Sequence, residues 1–173
     1  APVIDMLYPP GKDSRIPIVA VTGTNGKTTT TRLIAHMVKM MGFTVGYTTT
    51  DGIYIQNHLM MRGDCSGPGS AEFVLKDPTV NFAVFETARG GILRAGLGFK
   101  HCNVAVVTNI APDHLGLKGI HTVEQLAKVK SVVVEAVAPG GHAILNADDD
   151  LVYAMRELRK DRVALFSMDE NNP

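Results

Sequence analysis

The segment Thr22-Gly23-Thr24-Asn25-Gly26-Lys27-Thr28-Thr29 follows the apolar run Ile16-Pro17-Ile18-Val19-Ala20-Val21 and carries the residue types that hold a phosphate. The run reads as a buried strand. Lys27-Thr28 opens a helix whose unpaired backbone N–H groups and positive dipole end favour an anion. Gly23 and Gly26 let the chain curl without Cβ clashes, which turns successive N–H groups toward one point. Lys27 adds a charge for the outer phosphates of a nucleotide, and Thr28 a hydroxyl for Mg2+. The general phosphate loop has a further glycine five residues before Gly26, where Val21 stands here. The loop is therefore the shorter GTNGKTT form.

Four other places carry chemistry. Glu86 follows Phe82-Ala83-Val84-Phe85, so its carboxylate sits where a buried strand ends; it suits Mg2+, which takes oxygen ligands, or a salt bridge. His114, in Thr108-Asn109-Ile110-Ala111-Pro112-Asp113-His114-Leu115, follows an aspartate in a polar loop beyond a strand, a placement that favours function over a purely structural role. Lys130 falls among Val123, Leu126, Ala127, Val133, Val134 and Val137 on one face of a helix, whereas Lys128 points away. An ammonium on a buried stripe needs a partner or altered chemistry; the alternatives are a lysine snorkelling at the core's edge and one reaching a cleft. Arg89 and Arg94 in Glu86-Thr87-Ala88-Arg89-Gly90-Gly91-Ile92-Leu93-Arg94 can clamp a carboxylate or phosphate, or lie on the surface. Asn146-Ala147-Asp148-Asp149 reads equally as an N-cap cluster and as a nucleotide contact.

The elements that must position these groups alternate. Strands are expected at 16–21, 43–47, 82–85, 104–108, 142–145 and 163–166, with helical patterns at 28–41, near 70–76, at 122–138 and at 151–160. In the first helix Leu33, Ile34, Met37, Val38 and Met41 form an apolar stripe, its methionines read as core filler, and Gly42 is a C′ stop. Thr122 and Gln125 make a capping box. Apolar strands alternating with helices predict an α/β fold: a mostly parallel, three-layer sheet with helices on both faces. Ligands bind such sheets at the carboxyl ends of the strands, where the candidate residues converge.

Composition excludes several classes. With 45% hydrophobic and 20% charged residues, the 173-residue chain is an ordinary globular length and mixture, one domain's worth. Seventeen basic against seventeen acidic side chains leave no stripe for nucleic acid and no membrane-surface bias. Cys65 and Cys102 make no disulfide framework, and no apolar run approaches a membrane span, so the cytoplasm is the expected compartment. Residues 1–15, with Pro2, Pro9, Pro10 and Gly11, read as a linker from an upstream module; 16–173 is the domain, expected to be truncated because it stops in a polar stretch after a strand.

Taken together, GTNGKTT at 23–29, Glu86, TNIAPDHL at 108–115, Lys130 and NADD at 146–149 resemble the central ATP-binding domain of the Mur ligase superfamily over nearly the whole chain. Within it, TTTDG at 48–52, ETARGGILRAGLG at 86–98 and VVTNIAPDHLGLKGI at 106–120 are similar to the Mur-like module of cyanophycin synthetases. The resemblance implies an ATP- and Mg2+-dependent amide ligase that works through an acyl phosphate, joining arginine to aspartate side chains of a poly-aspartate acceptor. Other Mur-type ligations (peptidoglycan precursors, folylpolyglutamate) and a non-catalytic nucleotide-binding module are the alternatives. It implies that Gly23, Thr24, Asn25, Gly26, Lys27, Thr28 and Thr29 hold the phosphates and Asn146 the adenine side. Thr28 would serve one magnesium, and Glu86 and His114 another. Lys130 matches a lysine carbamylated in many members, and Arg89 a substrate clamp. It also implies an upstream ATP-grasp module, a C-terminal Mur domain that closes over ATP, little activity in the chain by itself, and a possible homo-oligomer.

Overall fold

The computed structural model describes residues 15–112, 116, 119–159 and 162–172. Eight strands form one sheet: β1 (Ile18–Thr22), β2 (Val45–Thr49), β3 (Gly52–Ile55), β4 (His58–Arg62), β5 (Phe82–Glu86), β6 (Cys102–Val107), β7 (Val137–Asn146) and β8 (Val163–Phe166). Their spatial order is β4-β3-β2-β5-β1-β6-β7-β8. All neighbours from β2 to β8 are parallel, while β3 and β4 add an antiparallel hairpin at one edge. The helices are α1 (Lys27–Met40), α2 (Pro68–Lys76), α3 (Arg89–Ala95), α4 (Val123–Glu135) and α5 (Asp150–Ala154), the last continued by a 3-10 turn at Met155–Leu158.

The central strands, apolar but for Thr22, Glu86 and the exposed Asn103, bury both faces. Ile18, Ala20, Phe85, Ala105, Val107 and Leu145 pack under α2, α4 and α5, and Val19, Val21, Val45, Val84 and Val106 pack under α1. Burying each Val, Ile, Leu or Phe side chain contributes about 1.5–3 kcal/mol. The register sets Val21 beside Glu86 and Thr22 beside Val107, which brings the carboxyl ends of β1, β5 and β6 level. This is the expected three-layer, mostly parallel α/β sheet.

Several local expectations are corrected. Helix α1 does not bury its methionines: Leu33, Met37 and Met41 are 58%, 56% and 72% exposed, and the buried residues are Thr31, Ala35 and Val38. Small and β-branched side chains let the helix lie close to the sheet, and longer ones at those positions would hold it off. The β3–β4 hairpin and α3 have no counterpart among the expected elements. Strand β7 begins at Val137, so α4 ends earlier than its apolar pattern, and Val137 belongs to the sheet. The expected caps are present: Thr122 Oγ1 accepts from Gln125 N at 3.2 Å while Gln125 Oε1 accepts from Thr122 N at 3.3 Å, and Gly42 N–H reaches Lys39 O at 2.9 Å. The expected linker at 1–15 lies outside the described residues except for Arg15, whose guanidinium donates to Val80 O and Asp77 O at 2.8 Å each. No helix among the described residues is long and apolar enough to cross a membrane.

Candidate active site

The 23–28 loop is fixed from outside itself. Thr24 N donates to Asn109 O at 2.8 Å, Asn25 N to Asn109 Oδ1 at 2.9 Å, and Thr108 Oγ1 to Asn25 O at 2.6 Å. Ala111 N donates to Thr24 Oγ1 at 3.0 Å. The segment after β6 thus clasps the loop. Gly23 has φ 147°, and a Cβ there would stand 1.9 Å from Thr108 Oγ1, so only glycine fits. Gly26 is the N-cap of α1 in the left-handed region, φ 81°. Lys27 Nζ arches back over the loop to Thr24 O at 2.8 Å. Thr29, two residues on, is exposed.

Glu86 closes one side of the loop. It is 1% exposed, and its Oε2 accepts from Thr28 Oγ1 at 2.7 Å and from Thr50 N at 3.2 Å. The hydroxyls of Thr28 and Thr50 lie 3.2 Å apart. Glu86 Oε1 is buried with no hydrogen-bond partner. A buried carboxylate oxygen left without a donor is costly, and a hard cation shared with the Thr28 hydroxyl would satisfy it. The donor set fits Mg2+.

Lys130 enters from the opposite side. Helix α4 packs on the sheet through Leu126, Ala127, Val133 and Val134, and this turns Lys130 inward to 3% exposure. Its Nζ donates to Gly23 O at 2.6 Å. The expected placement on an apolar face is therefore observed, and the side chain ends at the phosphate loop. His114 lies outside the described residues, as do its neighbours 113 and 115. Among the described residues no three His, Cys, Asp or Glu side chains cluster as a metal site.

The remaining candidates divide. Asn146 donates through Nδ2 to Thr108 O at 2.8 Å and accepts from Asp148 N at 2.9 Å, which ties it to the clasp. It also stands at a groove of about 660 Å3 whose floor is Val19, Val104, Val106, Ile144 and Phe166. Asp149 is a true N-cap, accepting from Leu151 N and Val152 N at 3.1 Å each, and its other oxygen takes Ile110 N at 2.6 Å. Arg89 opens α3 three residues beyond Glu86 and is half-buried, whereas Arg94 is exposed in the last turn of that helix. Thr50, Thr108 and Asn109 were not singled out by residue type. Their sequence signals are position, since each lies just past the end of a strand, and membership of the segments TTTDG at 48–52 and TNIAPDHL at 108–115.

This geometry has a counterpart among known proteins. The model of the Mur ligase middle domain matches residues 21–173. The chain belongs to the Mur ligase family. Among its Mur-type relatives, the cyanophycin synthetase of a Synechocystis species is 63% identical over all 173 residues, and that of Crocosphaera subtropica 60% identical over 99% of the chain. The chain spans about 20% of the length of each. A solved UDP-N-acetylmuramoyl-L-alanyl-D-glutamate–2,6-diaminopimelate ligase superposes over 90% of this chain and 33% of its own, with TM-score 0.72 and 25% identity. The chain is thus a domain of the Mur ligase kind, whose relatives are ligases.

Proposed function

We propose that this domain binds ATP and Mg2+ and carries the phosphoryl-transfer half of an amide ligase, joining arginine to the aspartate side chains of a poly-aspartate acceptor. The observation that carries the reading is Glu86: a buried carboxylate with one oxygen unsatisfied, 2.7 Å from the hydroxyl that ends a phosphate loop. The likeness to cyanophycin synthetases supports the choice of substrates.

Magnesium supplies charge neutralisation at the phosphate oxygens. The chain's residues do the rest. The N–H groups of the 23–28 loop hold the phosphates, and Lys27 leaves Thr24 O to meet the outer ones. Thr28 and Glu86, with His114 added from the family resemblance, hold the cation, while the Asn146 amide and the groove beside it take the adenine side. The acceptor carboxylate then displaces ADP at the γ-phosphorus, giving an acyl phosphate, and the amine of arginine displaces phosphate to leave the amide. Arg89 clamps a substrate carboxylate, and a reaction that spends ATP places the enzyme in the cytoplasm. Lys130 acts as its N-carbamate, formed when the neutral amine adds dissolved CO2 and releases a proton, which keeps one N–H for Gly23 O and adds an anion at the loop.

The test is phosphate release by the natural polypeptide with ATP, Mg2+, arginine and oligo-aspartate, against the same assay with muramyl-peptide substrates. Release that requires both arginine and oligo-aspartate supports the reading. Release only with muramyl substrates, or none with either, would overturn it.

A further inference from the structure

Beyond Val107 and Leu145, the last ladder pair of β6 and β7, the sheet does not fray. Residues 108–111 of the clasp run on between the phosphate loop and the turn at 146–149, and their backbone groups alternate between the two. On the loop side, Asn109 O accepts from Thr24 N and Ala111 N donates to Thr24 Oγ1. On the turn side, Thr108 O accepts from Asn146 Nδ2 and Ile110 N donates to Asp149 Oδ2. Side chains thus continue the ladder where the strands have ended. Because β6 lies between β1 and β7, the turn bears on the loop through this segment.

Asp149 has one oxygen more than its cap requires. Oδ1 takes both α5 donors, Leu151 N and Val152 N, and a serine at an N-cap fills the same role with a single oxygen. Oδ2 reaches back 39 residues to Ile110 N at 2.6 Å, as short as a charge-assisted bond. Ile110 is buried, so without that oxygen its N–H loses its acceptor in a poorly hydrated place. The residues on either side of Ile110 are the two whose backbone holds Thr24. The loop also lies tight against the clasp, since Gly23 has no room for a Cβ beside Thr108. A shift of the clasp therefore passes into the loop.

We infer that Asp149 is a positioning residue for the phosphate loop, latching the clasp at Ile110 so that the loop N–H groups stay aimed at the phosphates. The inference rests on the ligase reading above for what the loop holds and adds what keeps the loop aligned. The demand on alignment is severe, because a misplacement of about 1 Å can cost about 10²-fold in rate.

The experiment replaces Asp149 in the natural polypeptide and reads amide exchange without nucleotide, by mass spectrometry of peptides covering 23–27 and 150–154. Asp149→Ser keeps a cap and loses the latch. Residues 23–27 should then exchange at least fivefold faster, with 150–154 within twofold of the unaltered protein. Asp149→Ala loses both and should accelerate both. Asp148→Ser, one residue away, releases Ser167, Met168 and Asn172 and should leave 23–27 unchanged. In arginine-dependent phosphate release, Asp149→Ser should raise KM for ATP at least fivefold and leave KM for arginine, at saturating ATP, within twofold. Mere loss of folded protein would lower the rate and move neither KM. Unchanged exchange at 23–27 in Asp149→Ser or equal acceleration there in Asp148→Ser would overturn the latch. So would a KM for ATP that stays level or moves together with that for arginine. Absence of arginine-dependent release in the unaltered enzyme would sink the ligase reading instead, and exchange alone would then decide the latch.

Discussion

At the scale of single residues, charge and burial assign different tasks to two lysines. Lys27 bridges its own loop, so Lys27→Ala leaves the clasp by Thr108 and Asn109 in place. Ligation should fall by about 10²–10³-fold with an unaltered melting temperature, the scale of losing one stabiliser of developing charge. Near-normal ligation by the folded variant would remove the loop from the phosphate site. Lys130→Ala should lose ligation and regain part of it with acetate or bicarbonate, small anions that can replace a carbamate. Lys130→Arg should not recover it, because a guanidinium stays positive. Full activity in the arginine variant would dismiss the carbamate and leave a cationic role. Cys102 gives a control: burial pushes its thiol up to about 12, so alkylation at neutral pH should track unfolding only.

At the scale of elements, the parallel strands and the face of α4 were legible because their apolar patterns are long and continuous. Lys130 stood out for the same reason, as a charge interrupting a regular stripe. The orientation of α1 was not legible: its longest apolar side chains suggested one face, while contact with the sheet selected Thr31, Ala35 and Val38 for their small size. The hairpin escaped notice because all of β4 is exposed and gives no alternation. The two partners of Glu86 differ in the same way, since Thr28 acts through its hydroxyl and Thr50 through a backbone N–H that any residue but proline could supply. Two elements offer direct tests. Thr122→Ala removes the cap of α4 and should cost about 1 kcal/mol, seen as a fall in melting temperature of about 2–4 °C. Asp148 anchors the C-terminal turn, its carboxyl held below the usual range by the Ser167 hydroxyl and then by Met168 N–H. That anchorage is fully present above the unfolded carboxylate value of about 3.9. It is lost as pH falls through the lower folded value. Amide exchange at Met168 should accelerate in that window, and a flat profile would count against the anchor.

At the scale of the whole molecule, Glu86 and Lys130 reach the loop from opposite sides, one at Thr28 and the other at Gly23. The chain alone is expected to bind Mg·ADP weakly and hydrolyse little ATP, since the Mur ligase resemblance implies that a further domain supplies the groups that exclude water and orient the phosphates. Tight binding by calorimetry together with rapid turnover would refute this. The unsatisfied oxygen of Glu86 has a thermodynamic corollary, since the folded chain gathers donors that the unfolded chain scatters. A cation that binds only the native form draws the folding equilibrium toward itself by mass action, about 1.4 kcal/mol for each tenfold rise in concentration above its dissociation constant. Melting temperature should then climb with the logarithm of magnesium concentration in the unaltered chain and stay level in Glu86→Gln. Occupancy of the site would become visible in a heated cuvette, with neither nucleotide nor turnover required.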